Sequence, residues 1–199
     1  MKRLLLVRHG ESEWNAIRRL QGQADIELST RGEQQARALA PMIGTYRPDL
    51  VVTSDLRRAA HTAELLGYPD AKREPGLREH DVGAWTGEAI ADIKARELDN
   101  YLGWRAGTHT PRDGESWDRF CQRIDAVLGQ VLAEAEDTAL LVCHGGVIRA
   151  ALFVSLGLEP ARIIPVGPAS LTILAFPDTS ARLEAFNVSA AKPVLDAPD

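Results

Sequence analysis

The chain has 199 residues, 45% of them hydrophobic, and a formal net charge of −5 at pH 7, which suits one sizeable core and excludes a disordered or fibrous architecture. That charge gives no general attraction for nucleic acid or an anionic membrane, so neither partner is expected, and an anionic ligand has to be drawn by a local cluster of cations. Two cysteines, Cys121 and Cys143, are too few for a disulfide framework, and no apolar run reaches the roughly 20 residues of a membrane span or forms a signal-peptide core, so a cytoplasmic location is expected.

Residues 3–7 form a continuous apolar run that meets Arg8, His9 and Gly10, the pattern of a strand buried on both faces. A helix follows Ser29 or Thr30, either of which can cap it, with Ala36, Leu39, Ala40 and Ile43 on its apolar face and Gly44 as its expected end. Residues 49–53 read as a second strand running into Ser54 and a helix striped by Leu56, Ala59, Ala63 and Leu66. From Tyr68 to Thr110 the periodicity weakens and glycines interrupt it, so long loops and short helices are expected, as a cap-like insertion around residues 76–114.

A long helix opens after Ser116, because Trp117, Phe120, Ile124, Val127, Leu128, Val131 and Leu132 recur at helical spacing. Residues 139–143 are a third buried strand, followed by His144, Gly145 and Gly146 and a helix through Val147, Ala150, Ala151 and Val154. Residues 170–176 and 182–188 read as paired strands joined by a Pro177-Asp178 turn, and 189–199 as a loose tail. Helices alternating with buried strands predict an α/β fold over residues 1–188: a single three-layer α/β/α sandwich on a mostly parallel mixed sheet.

In such sheets ligands bind beyond the carboxyl ends of strands, and three strand ends deliver Arg8 with His9, Arg57 with Arg58, and His144. Guanidinium forks and an imidazole suit a phosphate dianion, and the Gly145-Gly146 step opens a helix whose free N–H groups favour an anion. Neutral imidazole is also a competent nucleophile toward phosphorus, so no metal and no other cofactor is required. Two histidines invite a metal reading, but the neighbouring arginines repel a divalent cation and no acidic coordinating motif accompanies them, so no metal site is expected. On a helical wheel Arg57, His61 and Glu64 share a solvated face and Arg58 lies about 100° away.

The segment Leu6-Val7-Arg8-His9-Gly10-Glu11-Ser12-Glu13-Trp14-Asn15 resembles the signature of the histidine phosphatase superfamily, which includes phosphoglycerate mutases, and the likeness covers nearly the whole chain. The resemblance implies a phosphoglycerate mutase-like fold, His9 as phosphoryl acceptor, and Arg8, Arg58 and His144 as phosphate ligands. Arg58 is chosen because the family's second block places its phosphate-binding arginine immediately before alanine. Leu77-Arg78-Glu79-His80-Asp81-Val82-Gly83-Ala84-Trp85-Thr86-Gly87 resembles the proton-donor block and implies Glu79 as general acid, with His80 and Asp81 as its competitors. The stretch from Arg19 to Ser29 resembles that of glucosyl-3-phosphoglycerate phosphatases and broad-specificity phosphatases. There Asn15, Gln21 and Gly22 correspond to positions near phosphate or sugar, and Gly145 joins them as a substrate-binding candidate.

The expected activity is a metal-independent phosphomonoesterase acting through phosphohistidine on a small phosphorylated metabolite, of sugar phosphate or phosphoglycerate type. Mutases of the family carry a longer basic insertion and an Asn-Ser pair after the second histidine's glycine; here Gly146-Val147 stands instead and the cap has few lysines. Mutase-type transfer is the alternative, and a non-catalytic phosphate-binding module is a second. A dinucleotide-binding module fails because no G-x-G-x-x-G follows the first strand. Family members are often dimers, so a homodimer is an expectation of the resemblance. Trp14, Trp85 and Trp104 are loop anchors or walls for the organic part of a substrate. Cys121, Cys143, His61 and His109 are given no chemistry.

Overall fold

A computed structural model describes residues 1–177 and 180–190. Strand β1, Lys2–Arg8, lies near the centre of a six-stranded sheet. A four-residue helix α1, Glu13–Ala16, and the long helix α2, Thr30–Tyr46, lead to β2, Leu50–Thr53, and α3, Arg57–Leu65. The short β3, Lys72–Arg73, precedes α4, Ile90–Ala106, and α5, Trp117–Glu134. Then come β4, Thr138–Cys143, α6, Gly145–Leu156, β5, Ser170–Phe176, and β6, Arg182–Ser189.

The strand order is β3-β2-β4-β1-β5-β6. β1, β2, β3 and β4 run parallel, and β5 pairs antiparallel with both β1 and β6, so the sheet is mixed and mostly parallel. Alternation along β1 and β4 feeds two cores. Leu4, Leu6, Ala139 and Leu141 pack with α5 and α6, whereas Leu5, Val7, Leu140 and Val142 pack with Leu39, Ile43, Ala59 and Ala63 of α2 and α3. Helices therefore cover both faces, and the expected three-layer arrangement is found. No helix among the described residues is long and apolar enough to cross a membrane.

Several local expectations need correction. Gly44 does not end α2; the helix runs to Tyr46, and Arg47 takes the left-handed conformation (φ 48°) that terminates it, one residue before Pro48. The short helices expected in the cap are present as two single 3-10 turns, Pro75–Leu77 and Gly83–Trp85, but the cap also carries the 17-residue α4, which is broken at Glu97 (φ −152°, ψ 56°). The buried residues Ile90, Ile93, Tyr101 and Trp104 keep to one side, but the exposed Leu98 and Leu102 spread apolar character off it, so no clean stripe marks the helix. β3 is two exposed basic residues at the sheet edge, with no apolar pattern to reveal it. Asp49 lies outside β2, where its carboxylate accepts from the backbone N–H groups of Glu136, Asp137 and Thr138. Ser189, expected in the tail, belongs to β6; residues 191–199 and the Asp178 half of the expected turn lie outside the described residues.

Candidate active site

Register along the central strands sets the geometry. Arg8 pairs with Cys143 across β1 and β4, and the His9 N–H donates to the Cys143 carbonyl at 2.9 Å, so the residues following these two strands sit side by side. Their rings, His9 and His144, lie 5.2 Å apart, centroid to centroid, in an edge-on arrangement. Both are fully buried, and both are held neutral: burial first, then the nearby guanidiniums of Arg58 and Arg8, push each imidazole well below its ordinary range.

The hydrogen bonds of His9 fix its tautomer. Its Nδ1–H donates to the Gly10 carbonyl at 2.6 Å, leaving the lone pair on Nε2, which accepts from Arg58 Nε at 3.3 Å. Gly10 can serve because it is packed backbone to backbone against Gly32, where a Cβ on either residue would come within 2.3 Å of the other strand of chain. His144 Nε2 pairs with Ser54 Oγ at 2.9 Å, and its Nδ1 has no hydrogen-bond partner among the described residues.

Arg58 enters from the first turn of α3. Its Nη1 and Nη2 donate to the Ala24 and Gly22 carbonyls at 2.7 and 2.9 Å, which ties the loop after α1 to the site. Burial lowers both Arg58 and Arg8 to about 10, so both remain cations at neutral pH. Arg8 Nη1 donates to the Val166 carbonyl. Arg57 points outward, its side chain 63% exposed, and pairs with Asp25 and Glu27; the helical wheel separated the two arginines correctly.

Glu79 reaches the same place from the cap. One carboxylate oxygen accepts from the His80 backbone N–H at 2.8 Å and the other from Gly146 N–H at 3.1 Å, at the amino end of α6. The loop carrying Glu79 is gripped by Arg123, which donates to the Gly76 and Arg78 carbonyls and pairs with Glu115 at 2.7 Å. His80, a competitor for the acid role, is instead held as a neutral spacer. Its Nε2 donates to the Glu115 carbonyl at 2.7 Å, its Nδ1 accepts from Trp104 Nε1 at 3.1 Å, and Phe120 stacks against it at 4.6 Å. Asp81 is occupied by the Gly83 N–H.

Arg8, His9, Arg58 and Glu79 line one narrow cavity of about 30 Å³, together with Gln21, Gly22, Gly145 and Gly146. Gly22 is there because its left-handed backbone (φ 49°) turns the loop against Val82, leaving no room for a side chain. Asn15 does not line this cavity. It closes a capping box with Ser12, whose Oγ in turn donates to Gln21 Oε1 at 2.8 Å, so Asn15 acts on the loop rather than on the cavity space. Among the tryptophans Trp104 lines the cavity, Trp85 is buried in the cap and bonds Glu97, and Trp14 packs over Gly87.

Sequence reasoning missed Arg105 and Arg149, which also line the cavity. The available signal for Arg149 was a single arginine four residues after Gly145 on an otherwise apolar helix. Outside the cavity, no cluster of three or more His, Cys, Asp or Glu suited to a metal occurs among the described residues.

Guanidiniums gathered round a neutral imidazole whose Nε2 lone pair faces them suit a phosphate anion, and the fold sets them beyond the carboxyl ends of parallel strands. That combination suits a protein of the phosphoryl-transfer class. The family model described as histidine phosphatase superfamily (branch 1) matches residues 4–189, and the chain belongs to that superfamily. It is 35% identical to a glucosyl-3-phosphoglycerate phosphatase of Mycolicibacterium vanbaalenii over 96% of both chains. It is 37% identical to a probable phosphoglycerate mutase of an Enterobacter species, over 79% of this chain and 76% of that one. The solved structure of a mycobacterial glucosyl-3-phosphoglycerate phosphatase complexed with VO3 superposes with a TM-score of 0.89 at 35% identity, covering 95% of this chain and all of that one.

Proposed function

We propose that the chain hydrolyses phosphomonoesters of small metabolites, of sugar phosphate or phosphoglycerate type, through a phosphohistidine on His9. The observation that carries this reading is the state of His9: neutral, tautomerically fixed through Gly10, with Nε2 facing the guanidiniums. In the first step Nε2 forms a bond to phosphorus as the ester P–O bond breaks, and Glu79 gives its proton to the departing alkoxide. Arg8, Arg58 and the Nδ1 side of His144 carry the negative charge on the non-bridging oxygens. In the second step water attacks phosphorus, its proton passes to the Glu79 carboxylate, the N–P bond breaks, and orthophosphate leaves with His9 restored.

Relatives bear both phosphatase and probable mutase names, so transfer to a second hydroxyl is the competing reading. Gly146 and Val147, where the family's mutases carry Asn-Ser, support hydrolysis. A cytoplasmic location fits the two cysteines, which stand as separate free thiols. The deciding assay incubates the protein with a panel of phosphomonoesters in chelator and traps acid-labile phosphoenzyme in wild type and His9→Ala. Phosphate release with labelling lost in His9→Ala is expected. Labelled His9→Ala protein overturns the nucleophile, and isomerised ester without phosphate release establishes the mutase.

A further inference from the structure

His144 has a neighbour on either side, because β4 runs between β1 and β2. On the β1 side is His9. On the β2 side is Ser54, the residue just beyond that strand, which is fully buried and whose N–H donates to the Val142 carbonyl at 2.9 Å. Ser54 is not among the residues that line the catalytic cavity, yet its Oγ stands 2.9 Å from His144 Nε2. The other ring nitrogen of His144, Nδ1, is equally buried and has no hydrogen-bond partner among the described residues.

Burial first, then the guanidiniums of Arg58 and Arg8, keep His144 neutral, so its ring carries one proton and takes one of two tautomers. With the proton on Nε2, the ring donates to Ser54 and Nδ1 holds a lone pair, which repels a phosphate oxygen. With the proton on Nδ1, Ser54 is the donor and the orphaned nitrogen presents an N–H. The surroundings of Ser54 select the second arrangement. Its Oγ accepts from the Leu56 N–H at 3.4 Å, and its hydroxyl proton reaches no acceptor among the described residues other than His144 Nε2. Were Nε2 the donor, that hydroxyl proton would be buried without a partner, which folded proteins avoid.

Resting on the phosphomonoesterase reading, we propose that Ser54 is a positioning residue for phosphoryl transfer: its hydroxyl fixes His144 as the Nδ1–H tautomer, so that an N–H and not a lone pair meets a non-bridging oxygen. His9 also carries its proton on Nδ1, through the Gly10 carbonyl. One tautomer thus serves two ends, a lone pair on Nε2 for attack in His9 and an N–H on Nδ1 for charge in His144. No proton leaves His144 at any stage. As the ester P–O bond breaks, the donor is already in place and its hydrogen bond strengthens without reorientation. The cationic charge comes from Arg8 and Arg58, so His144 has no need to be an imidazolium.

The test records 15N–1H spectra of the histidine ring nitrogens in wild type, Ser54→Ala and Ser54→Thr, with the His144 signals assigned by their absence in His144→Gln. kcat/KM for p-nitrophenyl phosphate and inhibition by orthovanadate are measured beside them. Wild type is expected to show His144 protonated on Nδ1 alone, Ser54→Ala to lose that signature, and Ser54→Thr, which keeps the hydroxyl, to retain it. In Ser54→Ala, kcat/KM and the affinity for orthovanadate are expected to fall together at least tenfold, since removing one preorganised donor outright costs about 10²–10³ in rate. Ser54→Thr is expected to recover most of both. If neither variant folds, the wild-type spectrum still decides, because His144 protonated on Nε2 overturns the proposal. Ser54→Ala with slowed turnover but an unmoved His144 tautomer also overturns it, as that is the result of a purely structural serine. A Ser54→Thr protein that keeps the Nδ1–H signal yet is as slow as Ser54→Ala does the same. Failure of wild type on p-nitrophenyl phosphate with the Nδ1–H signal present overturns the phosphomonoesterase reading, while the Ser54–His144 hydrogen bond stands.

Discussion

Gly146→Ala separates the placement of Glu79 from the stability of the protein. A Cβ at position 146 would stand 2.2 Å from Glu79 Oε1 and 3.1 Å from its Cδ, where ordinary contact begins at 3.4 Å, so the carboxylate has to retreat by about 1 Å, a displacement that can cost on the order of a hundredfold in rate. The atom it meets is the far end of a flexible side chain, and the backbone of α6 is compatible with alanine. Alanine favours the helix by roughly 0.5 to 1 kcal/mol, against the loss of one charge-assisted hydrogen bond from Gly146 N–H worth about 1.5 to 3 kcal/mol. Thermal stability should therefore fall by only a few degrees. Turnover of glycerol 3-phosphate, whose alkoxide needs a proton, should drop about a hundredfold, while p-nitrophenyl phosphate, with a leaving group that departs unaided, should lose less than about tenfold. Steady-state kinetics on the two esters beside a thermal melt decide the matter. Equal losses on both, or wild-type rates on glycerol 3-phosphate, refute the placement of Glu79 as leaving-group acid.

Other consequences are equally direct. Gly32→Ala would put a Cβ 1.9 Å from the Glu11 carbonyl, a backbone atom that cannot swing away; a loss of about 2 to 3 kcal/mol is expected, seen as a melting temperature lower by roughly 6 °C or more, and an unchanged melt would refute the close packing. His9, His80 and His144 are all held neutral in the folded protein below their usual range, whereas each titrates near 6.5 when unfolded. The unfolded chain thus binds protons that the native one refuses, so stability is fullest above pH 6.5 and falls below it, by about 1.4 kcal/mol per group per pH unit. Urea melts between pH 8 and 5 should show that slope ahead of the carboxylates, whose usual range lies near 4; flat stability from pH 7 to 5 would contradict the buried neutral imidazoles. Burial pushes the Cys121 thiol up to about 12 and Cys143 higher still, so neither should react with a thiol reagent in the native state at pH 8, while both should react in urea. Rapid native labelling of Cys143 would show that β4 opens readily.

The central layer was legible because its signals are local. A strand buried on both faces needs an unbroken apolar run, and residues 3–7 and 139–143 supply one, so β1 and β4 and the polar residues just beyond them could be placed from the residues alone. The cap was not legible for an equally physical reason. α4 is bent at Glu97, and although its buried residues all join one small cluster with Leu20, Val82 and Trp85, the exposed Leu98 and Leu102 carry apolar character off that face. Periodicity reveals a helix when its apolar residues keep to the buried side, and here they do not.

The same distinction divides the site. His9, His144 and Arg58 stand at or just beyond the ends of regular elements, where strand register and a helical wheel position them. What sets the tautomer and surroundings of His9 is not local: the Gly10 carbonyl that selects its tautomer is held by the contact with Gly32, and the guanidinium on its Nε2 is braced by carbonyls of residues 22 and 24. Arg149 was hidden more deeply, since a lone arginine on an apolar helix reads as a charge near a surface until the cap is in place. Only when Trp104 arrives from α4 and Trp117 from α5 does that arginine become a buried cation on the cavity lining. Strand register thus brings His9 and His144 together from local signals, whereas the burial of Arg149 on the cavity lining depends on a helix whose packing the sequence pattern does not disclose.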